Sequence, residues 1–296
     1  MLYYMIRLDN TMATETYPTA TWRLLITGAQ DGPTNMAIDE AIVIAVGEGA
    51  APPTVRFFAW QPPCLSLGYA QDAAEADLER CRAHGWDIVR RPTGGRAILH
   101  IDELTYSVIA PASDPRVAGG VLESYNRLSE ALVAGLHRLG LMPERAKPIY
   151  QDRGALGAAC FDGPSGYEIT VGGRKLIGSA QMRRQGLVLQ HGALPLEGDI
   201  ARIAQALAFE SEGERRALEA RLRFRATTLH LALGRRVTFE EAADALAAGF
   251  AQALNLTLLP GDLTPREREL AEWLRREKYG HEAWTFRSVA VSDREK

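Results

Sequence analysis

The chain has 296 residues, 46% of them hydrophobic and 24% charged, with a formal net charge of -3: enough apolar material for one large domain or a main domain with a small extension. That charge excludes a domain committed to coating nucleic acid, and the longest apolar run, Ala41 to Val46 directly after Asp39 and Glu40, is far too short to span a bilayer. Three cysteines, Cys64, Cys81 and Cys160, make no disulfide framework and the N-terminus carries no secretion pattern, so a reducing, cytoplasmic setting is expected.

Residues 1–20 mix Thr, Met, Tyr and charge without a sustained period and are expected to form a flexible extension; one domain, 21–296, follows, rich in helix from about residue 199. WRLLITG (22–28) reads as a strand, and TNMAIDEAIVIAV as a helix with Thr34 as its N-cap and Met36, Ile38, Ile42, Val43 and Val46 as its apolar positions. TVRFFAW and CLSLGY are short strands divided by QPP, and a helix is expected over AAEADLERCRAHG. The strands WDIVR and ELTYSVIA bracket the run RRPTGGRAILH, where Gly94 and Gly95, lacking Cβ atoms, prepare a turn, a close approach to a ligand, or both.

A second long helix is expected over VLESYNRLSEALVAGLHRLG; Leu128, Leu132, Leu136 and Leu139 recur on one side for packing, which gives His137 no catalytic status. YEITVGGRKLIGSAQMRRQGLVLQHGALPL then reads as two or three strands, with Gly172 and Gly173 fitting a tight hairpin. The remainder turns helical through DIARIAQALAF, TFEEAADALAAGFAQAL and TPRERELAEWLRREKYG, and Thr238 and Glu241 are spaced for a capping box. The fold class is α/β or α+β, a mixed sheet with helices on its outside.

Several residues could carry chemistry. Cys160 lies in GALGAACFDGPSGYE, a loop-like stretch where a thiol is either inert packing or, with a lowered pKa, a nucleophile for acyl transfer. Lys175 follows the Gly172/Gly173 turn, and strict alternation would put it on one face with Ile177, either at an exposed edge or in a pocket where its ammonium could stabilise an oxyanion. His100 and His191 are structural or polar members of the same region. Cys81 and His84 could share a helical face, but two ligands in isolation do not make a metal site, and none is expected. The basic runs MRRQ and RFR are a solvated face or a dock for an acidic protein.

The ordered motifs NMAIDEAI, LSLGYAQD, RRPTGGRAILHIDELTYS, ACFDGPSGYEITVGGRKLIGSAQ and LQHGALPL, with further similarity ending near KYGHEAW, resemble the lipoate-protein ligase A/octanoyltransferase superfamily, most closely its LipM-like octanoyltransferases. The resemblance implies the mixed α/β catalytic core of biotinyl and lipoyl protein ligases with a helical C-terminal extension. It implies transfer of an octanoyl group from octanoyl-acyl carrier protein, through a thioester on Cys160, to the lysine of a lipoyl carrier domain, usually the glycine-cleavage H protein. Lys175 aligns with the family's active-site lysine, and Arg91, Gly94, Gly95, Arg96, His100, Gly178 and His191 fall in the matching substrate-binding motifs. Thioester-to-amide transfer runs downhill, so no ATP, metal or other cofactor is implied; a cytoplasmic monomer without nucleic-acid or membrane partners is expected. Two relatives offer alternatives, an ATP-dependent lipoate ligase and a LipL-like amidotransferase that takes its octanoyl group from H protein. A non-enzymatic lipoyl-domain binding module would not require the Cys160/Lys175 pair.

Overall fold

Each central strand carries apolar or internally paired side chains on both of its faces, so the chain wraps helices around both sides of one sheet. The structure is a computed structural model that describes residues 17–145, 159 and 168–288; Cys160 lies outside the described residues. β1 (Ala20–Gln30) leads through α1 (Gly32–Gly47) to β2 (Thr54–Trp60), followed by β3 (Cys64–Leu67), α2 (Leu78–Ala83), β4 (Asp87–Arg90) and β5 (Ile98–His100). After β6 (Glu103–Pro111) and α3 (Val121–Arg138) come β7 (Glu144–Arg145), β8 (Ile169–Val171), β9 (Arg174–Arg184) and β10 (Leu187–Pro195). The last part holds α4 (Glu212–Arg225), α5 (Leu229–Leu233), α6 (Phe239–Ala253), β11 (Leu256–Pro260), α7 (Pro265–Leu274) and α8 (Glu282–Thr285).

The large sheet has the strand order β11-β1-β2-β6-β10-β9-β8-β7, and β4-β3-β5 form a second, smaller sheet. β1 pairs in parallel with β11 and β2, while the pairs from β2 outward are antiparallel, which makes the sheet mixed as expected. Alternation sorts the side chains: Val55, Phe57, Leu104, Tyr106 and Val108 join the core under α3 and α6. Phe58, Trp60, Ile109 and Leu189 join the core under α1 and α7. Among the described residues no helix is long and apolar enough to cross a membrane.

Several elements differ from the sequence expectation, each for a local reason. α1 starts before Thr34: the N-cap is Asp31, whose carboxylate accepts from the Thr34 N–H at 2.7 Å, with Pro33 in the first turn. The helix expected over 73–85 is broken, because Asp72 caps a short 3-10 turn and Asp77 caps α2, leaving Ala76 extended and bridged to Leu207. DIARIAQALAF forms a 3-10 segment, Ile200–Ala206, capped by Asp199. The expectation omitted α4, which buries only Arg215, Leu218 and Leu222 and so shows almost no apolar period, and β11, an edge strand that is mostly exposed. Thr238 caps α6 as expected, but the Glu241 side chain turns to Arg235 at 2.7 Å and leaves the box half made. Ordered packing also begins before β1: Tyr17 is buried, and its carbonyl accepts from Asn255 Nδ2 at 2.8 Å.

α3 and α6 meet through glycines. A Cβ on Gly249 would lie 2.4 Å from the Ala131 carbonyl oxygen and 2.7 Å from Gly135 Cα, so the two backbones touch there. Helix propensity favours Ala over Gly by about 0.8–1 kcal/mol, whereas overpacking a well-filled contact costs about 1–3 kcal/mol. The second effect should win at this site. Gly249→Ala is therefore expected to lower stability in urea denaturation, while Gly213→Ala in α4, where the nearest atom is 3.6 Å away, should be neutral to stabilising. A stabilised Gly249→Ala would mean that the helices are not in backbone contact.

Candidate active site

The site grows from one row of the sheet. Strand register places Arg56 on β2 beside Ser107 on β6, and Ser107 beside His191 on β10, all on the face that α1 covers. Asp39 reaches down from α1 onto this row: Oδ1 pairs with Arg56 Nη1 at 2.7 Å, and Oδ2 accepts from Ser107 Oγ at 2.7 Å and from His191 Nδ1 at 3.3 Å. Arg56 and Asp39 are both fully buried. Burial works against the charge on Asp39, but the Arg56 guanidinium, with the bonds from His191 and Ser107, holds its carboxyl below the ordinary value. Arg56 also donates to Thr27 Oγ1, the Asn35 carbonyl and Asn35 Oδ1 at 2.7–3.1 Å, so each of its nitrogens has an acceptor.

His191 carries the row to the glycine turn. With Nδ1–H donating to Asp39, Nε2 is left to accept from the Thr93 hydroxyl at 2.6 Å. Burial pushes the His191 pKa down, against the pull of Asp39, which favours this neutral ring. Arg91 closes the turn from inside: Nη2 donates to the Gly94 and Arg96 carbonyls at 2.7 and 2.8 Å, and Nη1 to the Ser66 carbonyl at 3.0 Å. Gly95 has φ +88°, where a side chain is strained, and a Cβ there would lie 2.9 Å from Arg91 Nη2. Gly94 is exposed, and a Cβ on it would meet nothing within 4 Å.

Behind the turn lies a narrow cavity with Met36, Trp60, Ile98, Ala180 and Ala193 as its apolar wall and Arg91, Gly95, His100 and His191 on its polar side. Its polar groups are fixed among themselves. His100 Nδ1 bonds Glu103 Oε1 at 2.7 Å and Nε2 bonds Ser66 Oγ at 2.7 Å, while the ring stacks on Trp60 with centroids 4.0 Å apart. Trp60 Nε1 in turn donates to Thr105 Oγ1 at 2.8 Å, and Thr105 Oγ1 to Glu103 Oε1 at 2.5 Å. Gly192 must be glycine-sized, since a Cβ would lie 2.5 Å from Ser179 Oγ and 2.7 Å from the Gly178 carbonyl oxygen. The cavity holds only about 30 Å³, so its apolar wall, with the bare backbone turn at its edge, would contact an acyl chain that ends in a carbonyl only where the chain widens it.

The other residues singled out by sequence take definite places. Lys175 is buried on β9 and ion-paired with Glu168, and its carbonyl accepts from Thr227 N at 2.9 Å. Strict alternation fails beside it: Ile169 faces Ile177 and Thr170 faces Lys175, so Leu176 is the extra residue of a β-bulge. Gly178 lies opposite Ala193, and Arg96 faces Glu75 at 3.6 Å. Ala159, the residue before Cys160, is buried and bridged to Ala97 directly after Arg96. Burial, with Asp87 and Asp31 nearby, pushes the Cys64 thiol well up, and burial with Asp77 pushes Cys81 up to about 11, so neither is poised as a nucleophile. His84 stacks on Trp86.

Asp39, Arg56, Thr93, Ser66, Glu103 and Trp60 went unrecognised as site residues. Two signals were available: Asp39 is a charge amid the apolar positions of α1, and Arg56 is a charge inside an otherwise apolar strand.

Residues 31–251 match the model of the lipoyl protein ligase A/B catalytic domain. The chain is 48% identical over 271 residues to the octanoyltransferase LipM of Symbiobacterium thermophilum, covering 90% of this chain and 98% of that protein. It is 47% identical to the octanoyltransferase LipM of Kyrpidia tusciae over 90% of this chain and 99% of that one. Among solved structures, the bipartite lipoate protein ligase of Thermoplasma acidophilum, described with its E2 lipoyl domain, superimposes with a TM-score of 0.76 at 25% identity, over 92% of this chain and 99% of that one. The chain thus belongs to the lipoyl protein ligase A/B catalytic-domain family.

Proposed function

We propose that the chain moves an octanoyl group from octanoyl-acyl carrier protein, through a thioester on Cys160, to the lysine of a lipoyl carrier domain such as glycine-cleavage H protein. It is an octanoyltransferase of protein lipoylation, and the observation that carries the reading is the apolar slot closed by the Arg91–Gly95 turn in a chain 48% identical to an octanoyltransferase. Burying the seven saturated carbons of the acyl chain would contribute on the order of 5 kcal/mol before ordering costs. The Ala159–Ala97 bridge brings the chain one peptide away from Cys160 alongside that turn, which supports the choice of nucleophile.

In the first half-reaction the Cys160 thiolate attacks the thioester carbonyl, the bond to the carrier sulfur breaks, and the carrier leaves as a thiolate that takes up a proton. In the second, the neutral amine of the acceptor lysine attacks the acyl-enzyme, the bond to Cys160 breaks, and the amine proton is lost as the amide forms. The Lys175 ammonium, held by Glu168, stabilises the oxyanion in both steps and favours the Cys160 thiolate. Arg91, Gly95, Arg96, His100, Gly178 and His191 shape and hold the acyl pocket without taking part in proton transfer.

A donor panel tests the reading against its relatives. Octanoyl-acyl carrier protein without ATP should add one octanoyl mass to the enzyme, sensitive to thioester cleavage and placed on Cys160 by peptide mass spectrometry. Free octanoate with ATP, or octanoyl-H protein, should not. Normal transfer by Cys160→Ala would reject the nucleophile, and labelling only from octanoate with ATP or from H protein would reject the donor.

Lys175→Ala should slow single-turnover acylation by about 10²-fold or more, the scale of one oxyanion contact. Lys175→Arg restores charge without the compact ammonium and should recover the rate only in part. Wild-type acylation by Lys175→Ala with a normal circular dichroism spectrum would remove the lysine from the mechanism.

The two glycines of the turn should separate. Gly94→Val adds bulk where the protein leaves open space, so the expected result is slowed acylation at an unchanged melting temperature. Gly95→Val meets Arg91 and a left-handed backbone, so both acylation and stability should fall. Undiminished acylation in folded Gly94→Val would show that substrate does not approach along the turn.

A further inference from the structure

Two adjacent arginines at the end of β4 point in opposite directions. Arg91 faces the cavity; Arg90, 0% exposed, faces the C-terminal segment. Its hydrogen-bond acceptors among the described residues are all backbone carbonyls. Nη1 donates to Gln71, Gly68 and Tyr69 at 2.6, 2.8 and 3.2 Å, Nε donates to Thr285 at 3.0 Å, and Nη2 has no hydrogen-bond partner there. Burial lowers the Arg90 pKa to about 10. A buried guanidinium with a spare donor is poor design for stability alone, because an unpaired buried donor is costly and apolar packing is cheaper.

The carbonyls that Arg90 gathers belong to the loop that supports the glycine turn. Tyr69 N donates to the Thr93 carbonyl at 2.8 Å, and Gly68 lies so close to the turn that a Cβ on it would sit 1.9 Å from the Gly95 carbonyl oxygen. The C-terminal segment fastens the other end. Trp284 Nε1 donates to the Arg90 carbonyl at 2.9 Å, and the Arg287 guanidinium lies 4.1 Å from the ring centroids of both Tyr69 and Trp284 while donating to the Tyr69 carbonyl at 2.9 Å. Lys278, paired with Glu40 on α1, covers the Trp284 ring at 4.1 Å. A path of hydrogen bonds runs from α8 through Arg90 and the 68–71 loop to Thr93, and Gly68 of that loop abuts Gly95.

We propose that Arg90 is a positioning residue for acyl transfer: anchored by Trp284 and Thr285 of the C-terminal segment, it holds the 68–71 loop against the glycine turn and so sets where the turn meets the acyl carbonyl. The inference rests on the reading of that turn as the substrate contact. It makes the C-terminal segment part of the acyl site although no described residue of that segment lines the cavity.

The test uses three variants of the full-length enzyme. Trp284→Phe keeps the ring for Lys278 and Arg287 but deletes the N–H that holds the Arg90 carbonyl. Arg90→Lys keeps the charge but cannot span carbonyls on both the loop and Thr285. Gly68→Ala pushes directly on Gly95. Each is measured for thermal melting, for alkylation of Cys160 by iodoacetamide as a gauge of an intact thiol, and for single-turnover acylation at saturating octanoyl-carrier protein. Acylation should fall by about 10- to 100-fold, the scale of a displaced reacting geometry, while alkylation stays at the wild-type rate. Should Arg90→Lys fail to fold, Trp284→Phe decides the matter. Wild-type acylation in folded Trp284→Phe and Arg90→Lys overturns the proposal, as does an acylation loss matched by an equal loss of alkylation. Failure of the underlying reading looks different: Gly94→Val and Gly68→Ala would then acylate normally whatever Arg90→Lys does.

Discussion

Asp39 is the constraint on which the site depends. One helix-borne carboxylate, fully buried, meets Arg56, Ser107 and His191, and thereby ties α1 to three neighbouring strands at a single level of the sheet. In so dry a place the Arg56–Asp39 pair is supported because each nitrogen of Arg56 donates at least once, the bonds beyond Asp39 going to Thr27 and Asn35. Removing either partner would strand the other charge, a loss that typically runs to about 3–5 kcal/mol, so helix and sheet cannot slide past one another by even one residue without breaking the row. That rigidity passes outward through His191 to Thr93, the residue just before the glycine turn.

The turn is thus held from both sides of the chain that carries it. On the cavity side, Arg91 fills the loop with donors aimed at the Gly94 and Arg96 carbonyls; on the far side, Arg90 gathers the carbonyls of the supporting loop. A glycine turn is loose by nature, since Gly loses more backbone freedom on ordering than any other residue. Here that freedom is removed by guanidinium groups rather than by side chains of the turn, which leaves its outer surface at Gly94 bare. Arginine suits both jobs because its planar fork reaches several acceptors at fixed angles.

Much of this was legible in the sequence where a residue type has one dominant reason to be there. The strands β2, β6, β9 and β10 follow from short runs rich in apolar, aromatic and β-branched residues between Gly and Pro turn signals, Leu128, Leu132 and Leu136 from the period of α3, and the hairpin from Gly172 and Gly173, both at positive φ. What escaped was information carried by pairs. Asp39 looks like the polar edge of an apolar helix until Arg56 is placed beneath it, and nothing in a linear pattern announces that strand register will line Arg56, Ser107 and His191 in a row. α4 and β11 were invisible for the opposite reason: they are largely exposed, and a helix that buries three residues or an edge strand that buries one leaves little periodicity to read. The bulge at Leu176 likewise has no signature in RKLIG, yet it interrupts the alternation that would have put Lys175 and Ile177 on one face.

The cavity's own polar groups argue for where the chemistry must come from. His100 is committed to Glu103 and Ser66, and His191 to Asp39 and Thr93, so each ring has both nitrogens engaged. A histidine in that state orients its neighbours but has no free nitrogen with which to take a proton from an incoming nucleophile. Arg91 spends its donors on the turn's carbonyls and on Ser66, and Cys64 and Cys81 are held protonated. The described cavity therefore offers apolar wall and fixed polar groups, and on the proposed function bond exchange needs groups from outside that wall. On the proposed mechanism those groups are Cys160 and the Lys175/Glu168 pair, and a thioester donor fits this division of labour, because thiolate attack on a thioester expels another thiolate and asks for no general base in the pocket.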